Sequence, residues 1–85
     1  MSTAEETSQR IRRIMKQHGR LGRDADAIAD DEDLYGAGLT SHASVNVMLA
    51  LEGEFGIEFP DQMLTRSVFS SIASIRSAVD TLTTA

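Results

Sequence analysis

Apolar residues recur at spacings of three and four along most of the chain, and one long polar stretch interrupts them. Ile11, Ile14, Met15 and His18 keep that spacing and predict a first helix from Thr3 or Ala4 to about Gly19. Thr3-x-x-Glu6 at its start has the form of a capping box, and Gly19 would serve as a left-handed stop. From Leu21 to Ala37 the chain is polar, aperiodic and rich in Asp and Gly, which predicts a long loop pinned inward by Leu21, Ile28, Leu34 and Tyr35. A loop of that length needs such anchors in a compact domain.

A second helix is predicted from Thr40 or Ser41 to about Phe55, with Val47, Met48, Leu51 and Phe55 as its inner stripe. Val45 and Leu49 fall beside that stripe and leave a partly exposed apolar strip of the kind that marks partner surfaces. Gly56 ends the helix, Ile57 and Phe59 turn inward, and Pro60 to Leu64 suits a short helical turn with Pro60 in its first position. Ser70 or Ser71 then caps a last helix carrying Ile72, Ile75, Val79 and Leu82. The pattern is all-α, three longer helices plus one short helix, with no strand alternation, internal repeat or low-complexity segment.

Composition narrows the function. Eighty-five residues fill a single domain, 1–85, with one small core. With 41% apolar residues, no Trp, one Tyr and three Phe, that core is aliphatic and leaves little room for a large rigid pocket. The net charge is −5, with acids at Asp24, Asp26, Asp30 to Asp33, Glu52, Glu54, Glu58 and Asp61. Such a field repels phosphate backbones, so nucleic acid is not an expected partner and basic proteins are. Six cations, Arg10, Arg12, Arg13, Lys16, Arg20 and Arg23, precede the acidic stretch that begins at Asp24, and those of the first helix, diluted by Glu5 and Glu6, fall on several faces around Ile11 and Ile14 and read as a solvated polar face. There is no apolar run near the ~18–20 residues that span a bilayer and no leader at the N-terminus, so a cytoplasmic monomer without a membrane partner is expected.

The candidate chemistry lies in Leu34-Tyr35-Gly36-Ala37-Gly38-Leu39-Thr40-Ser41, which places a hydroxyl between a glycine-bearing loop and a helix start. A nucleophilic serine needs a base in reach and an acid behind it. His42 is adjacent, and neighbouring helical residues do not face each other. His18 reads as a satisfied, partly buried residue on the inner face of its helix. No catalytic residue is therefore assigned, and the chain is not read as an enzyme. The Asp30 to Asp33 run lacks the alternating spacing and glycine of a calcium loop, so no metal is assigned and a solvated loop is expected. With no cysteine, any thiol chemistry has to be imported. A helix start with open N–H groups suits a phosphoserine or phosphodiester. The plainer alternative is a non-catalytic helical interaction module in which Ser41 is only a helix cap. A helix-turn-helix regulator would need a basic recognition helix that the later part of the chain lacks.

Leu34-x3-Gly38-Leu39-Thr40-Ser41 and, after a helix of matching length, Leu51-Glu52-x-Glu54-Phe55-Gly56-Ile57-Glu58-Phe59-Pro60-Asp61 resemble the acyl carrier protein family, including peptidyl carriers. The likeness runs from Ile11 to Val79. It implies a four-helix acyl-carrier-like bundle in which Ser41 carries 4′-phosphopantetheine, donated by coenzyme A through a phosphopantetheinyl transferase, and in which cargo is held as a thioester. Ser44, the nearest competing hydroxyl, has the wrong spacing to Glu52. Further partners implied are an acyl- or amino acid-activating ligase and a downstream acyltransferase or synthase, docking on Leu39, Thr40, His42, Val45, Asn46, Leu49, Glu52 and Glu54. Thr40-Ser41-His42 departs from the common Asp-Ser-Leu, and Ala43, Asn46 and Gly53 replace frequent carboxylates. These departures point from general fatty-acid synthesis to a specialised carrier, resembling free-standing carriers loaded with an amino acid by a dedicated ligase.

Overall fold

A computed structural model describes residues 4–84 of the chain, so Thr3 and the expected capping box lie outside the described residues. Helix α1 spans Ala4–Ile14 and runs directly into a π turn, Met15–Gly19. A 3-10 turn, Ala25–Ala27, interrupts the long connection. Helix α2 spans Ser41–Phe55, a second 3-10 turn covers Asp61–Met63, and α3 spans Ile72–Thr84. The architecture is the all-α one the spacing predicts, with the short fourth helix reduced to a single 3-10 turn. Pro60 stands just before that turn in extended backbone (φ −69°, ψ 159°) and not at its first helical position.

The π turn changes which way α1 points its last residues. Bonding i to i+5 adds a residue to the turn, so the inward direction after Ile14 and Met15 falls on Gly19, and His18 faces solvent. His18 is thus not an inner-face residue. Gly19 is buried against Met15, whose methyl carbon would lie 2.9 Å from an added Cβ. The left-handed residue is the next one, Arg20, at φ 53°. Gly19 supplies room, and Arg20 makes the stop.

The polar connection is stitched down. Ile28 and Leu34 are buried, while Leu21 and Tyr35 are half-buried against the core. Arg12 reaches from α1 to donate to the carbonyls of Ala25 and Ile28 and to the Asp30 carboxylate. The Asp30 carbonyl accepts from the Ala73 amide at 2.9 Å, its carboxylate also accepts from Arg76, and the Leu34 amide donates to Ser70 O at 2.7 Å. The loop is therefore fixed to both α1 and the start of α3.

Ser71 is the cap of α3: its hydroxyl accepts from the Ser74 amide, and the Ser74 hydroxyl accepts from the Ser71 amide, each at 3.1 Å. This is a capping box with serine in the place of the usual Glu or Gln. Ile11, Met15, Leu34, Val47, Leu51, Ile72, Ile75 and Val79 form the fully buried centre. Phe59 and Phe69 close one end with ring centroids 5.4 Å apart. The early cations and later acids meet within the molecule: Arg10 and Arg13 pair with Glu54, Arg12 with Asp30, Lys16 with Asp26, and Arg23 with Glu32. The expected solvated cationic face and solvated acidic loop are in large part partners of each other.

Candidate functional site

The segment before α2 closes on itself. The Leu39 amide donates to Leu34 O at 3.0 Å and the Gly38 amide to Tyr35 O at 3.2 Å. Gly38 has φ 118°, and a Cβ there would stand 3.0 Å from the Gly22 nitrogen, so both conformation and space require glycine. Leu39 is 3% exposed and anchors this turn to the core. Its side chain is turned inward, unlike those of the other expected docking residues on the outer face of α2.

Thr40 and Ser41 divide the work that the sequence left to one residue. Thr40 is extended (φ −96°, ψ 163°), and its Oγ1 accepts from the Ala43 amide at 3.0 Å, which makes it the N-cap. Ser41 is the first helical residue and is exposed. Its hydroxyl has no hydrogen-bond partner among the described residues, while the neighbouring Ser44 hydroxyl is turned back to donate to Ser41 O at 2.7 Å. The free hydroxyl is thus Ser41's, and its freedom costs the helix no cap. No His, Asp or Glu side chain bonds to it among the described residues.

Beside Ser41 runs an open groove of about 350 Å³. The first turns of α2 line one wall with Ser41, Ser44, Val45 and Met48, and residues 64–69 line the other with Leu64, Thr65, Arg66 and Phe69. Tyr35 also lines it, and the Arg66 guanidinium lies over its ring, 3.9 Å from the centroid. Periodicity gives no sign of Leu64, Arg66 or Tyr35 as site residues, because they come together only when the two segments pack.

The outer face of α2 is open. Thr40, His42 and Asn46 are exposed, Val45 is 51% and Leu49 is 56% exposed, and Leu64, at 45%, continues the apolar strip across the groove. The last turn of α2 is different. The Glu52 carboxylate accepts from the Phe59 amide at 2.9 Å. Glu54 accepts from Arg10 Nε at 2.7 Å and Arg13 at 2.9 Å, and these bonds, the one from Arg10 first, hold its carboxyl below the ordinary Glu range. Arg10 is itself placed by Phe55, whose ring centroid is 4.3 Å from the guanidinium carbon. The carboxylates of Glu52 and Glu54 are thus engaged within the fold, unlike the exposed side chains at the start of α2.

An exposed, unpartnered hydroxyl at a helix start, with a cation in the adjoining groove, suits a singly charged phosphodiester. Among the described residues no group of three His, Cys, Asp or Glu could hold a metal ion, and no helix is long and apolar enough to cross a membrane.

Known proteins agree with this chemistry. Residues 9–82 match the family described as "Phosphopantetheine attachment site". The chain is 51% identical over 69 residues to an aminoacyl carrier protein of Agrobacterium fabrum, covering 81% of this chain and 83% of that one. A chain in the crystal structure of an engineered Bradyrhizobium japonicum glycine:carrier protein ligase, complexed with carrier protein from Agrobacterium tumefaciens and ATP, superposes with a TM-score of 0.86. The identity there is 46%, over 89% of this chain and 99% of that one. A solution structure from Agrobacterium tumefaciens gives a TM-score of 0.71 at 47% identity, over 87% and 89% of the two chains. The match over nearly all of the sequence, with the same helical fold, means that this chain belongs to the phosphopantetheine-attachment family of carrier proteins.

Proposed function

We propose that Ser41 is the attachment residue and that this carrier presents an aminoacyl thioester to partner enzymes without catalysing a step itself. The observation that carries the assignment is the division of labour at the helix start: Thr40 makes the cap, leaving the exposed Ser41 hydroxyl free. The half-identity to an aminoacyl carrier supports the cargo class. When attached, 4′-phosphopantetheine supplies the thiol that this cysteine-free chain lacks. The chain supplies position: Gly38 and Leu39 fix the turn, Thr40 fixes the helix start, and the buried stripe of α2 keeps the attachment point rigid.

Docking is assigned to Thr40, His42, Val45, Asn46 and Leu49, with Leu64 added and Leu39, Glu52 and Glu54 removed. With the acids occupied, this face offers apolar contact more than charge. Its partners are a phosphopantetheinyl transferase, an amino acid-activating ligase of the kind seen with the Agrobacterium tumefaciens carrier, and a downstream acyltransferase or synthase. The interaction-module alternative loses its support, because the cap it ascribes to Ser41 belongs to Thr40. The test is mass spectrometry after incubation with coenzyme A and a broad-specificity transferase. One phosphopantetheinyl addition that disappears in Ser41→Ala is expected; no addition to a folded chain, or one that survives the substitution, would sink the assignment.

A further inference from the structure

We propose that Arg66 is a positioning residue for the prosthetic arm, its guanidinium pairing with the phosphodiester on Ser41. The proposal rests on the assignment of Ser41 as the attachment residue.

Three observations carry it. First, of the eight cations, six are in ion pairs within the chain: Arg10, Arg12, Arg13, Lys16, Arg23 and Arg76. Arg66 has no carboxylate partner among the described residues, although the chain carries thirteen acids. Second, Arg66 is held on the Tyr35 ring, 3.9 Å from its centroid, and a stacked guanidinium keeps its N–H donors available at the plane's edge. Third, Arg66 and Ser41 line the same groove, and Arg66 is the sole cation on its walls. Arg20, the eighth cation, borders a separate pocket with Leu21 and Lys16.

The phosphodiester keeps one negative charge across the physiological range, so a fixed cation on the facing wall attracts it without any proton transfer. A helix start alone offers only partial charge, and α2 has no Lys or Arg in its opening turn to add to it. Pairing with Arg66 would bias the first atoms of the arm into the groove, toward the wall formed by residues 64–69, and away from Asn46 and Leu49, which lie outside it.

The experiment compares apo and holo forms of the wild type, Arg66→Gln and Arg66→Lys, each converted with coenzyme A and the broad-specificity transferase and checked by mass. Two readouts follow: the Arg66 Nε–H resonance in the wild type, and the melting-temperature change on conversion in all three. The Nε–H resonance should shift on conversion. The wild type should gain roughly 2–5 °C relative to the change seen in Arg66→Gln at low salt, with Arg66→Lys in between. The difference should shrink in molar salt, as expected for a charge pair. A normal mass gain at Ser41 with an unmoved Nε–H resonance and equal melting changes in wild type and Arg66→Gln overturns the role of Arg66 and leaves the attachment site standing. Absence of the mass gain at Ser41 removes both. The Gln variant changes an exposed side chain, so folding of all three is expected.

Discussion

The two ends of α2 treat their polar residues in opposite ways. At the start, Ser41, His42 and Asn46 face solvent, and the only polar side chains tied down are Thr40, which caps the helix, and Ser44, which bonds back to it. At the end, Glu52 bonds the Phe59 amide, Glu54 binds two arginines of α1, and Phe55 supports one of them. The start is held from behind, by Leu39, Ala43 and Val47, which leaves its outer face open to solvent. The end is held through its own polar side chains. A carboxylate on a carrier helix is therefore no docking signal until its partners are known.

The sharpest break of this comparison is at Ser41. Ser41→Ala should abolish loading altogether while changing stability by less than about 0.5 kcal/mol, the range for exposed sites outside any cap. Thr40→Ala, one residue away, should do the reverse: loading remains possible and stability falls by about 1 kcal/mol. Mass spectrometry and urea melts on the pair decide it. A destabilised Ser41→Ala beside a neutral Thr40→Ala would return the cap to Ser41.

Next in size is Leu49→Asp, which places a charge on the open strip. Transfer from the loading ligase should fall at least about tenfold in kcat/KM, because an apolar contact then has to desolvate a carboxylate. Helix content should barely change, since Leu49 is more than half exposed. The same assay on Glu52→Ala should show the opposite balance: about 1–2 kcal/mol of lost stability, because the Phe59 amide loses its acceptor, with kcat/KM changed less than about twofold. If Glu52→Ala weakened transfer as strongly as Leu49→Asp, the last turn would belong to the docking face after all.

These variants also trace what the sequence could convey. Features set by local spacing were legible: the bounds of α2, the Gly56 stop at φ 64°, the buried Val47 and Leu51, and the exposed Val45 and Leu49. Resemblance added the family and pointed to Ser41. Contacts between distant segments were not legible. Arg10 and Glu54 are separated by 44 positions, so nothing near Glu54 in the chain reveals that its charge is already paired. Arg66 and Tyr35 meet only through folding. His18 is misplaced for a different reason: a 3.6-residue period is carried through a turn that the chain winds as π, and a single added residue rotates a side chain from the core to solvent.

The smallest expected effect tests the locked end of α2 by pH. Arg10, then Arg13, hold the Glu54 carboxyl below its ordinary value, so its folded pKa lies under its unfolded one. A group depressed in this way stabilises the fold fully above the unfolded pKa, near 4.3 for Glu, and loses that contribution as pH falls through the folded value. Glu54→Gln should therefore be less stable than the wild type by up to about 1 kcal/mol at pH 7, and the gap should close on acidification below pH ~4. Glu32, lowered by Arg23, adds to the acid limb of both proteins alike and cancels in the difference. Urea melts of the two proteins from pH 7 to pH 3 supply the measurement. A constant gap would mean that Glu54 acts there through packing and shape, and that the contrast between the two ends of α2 is steric in origin and not electrostatic.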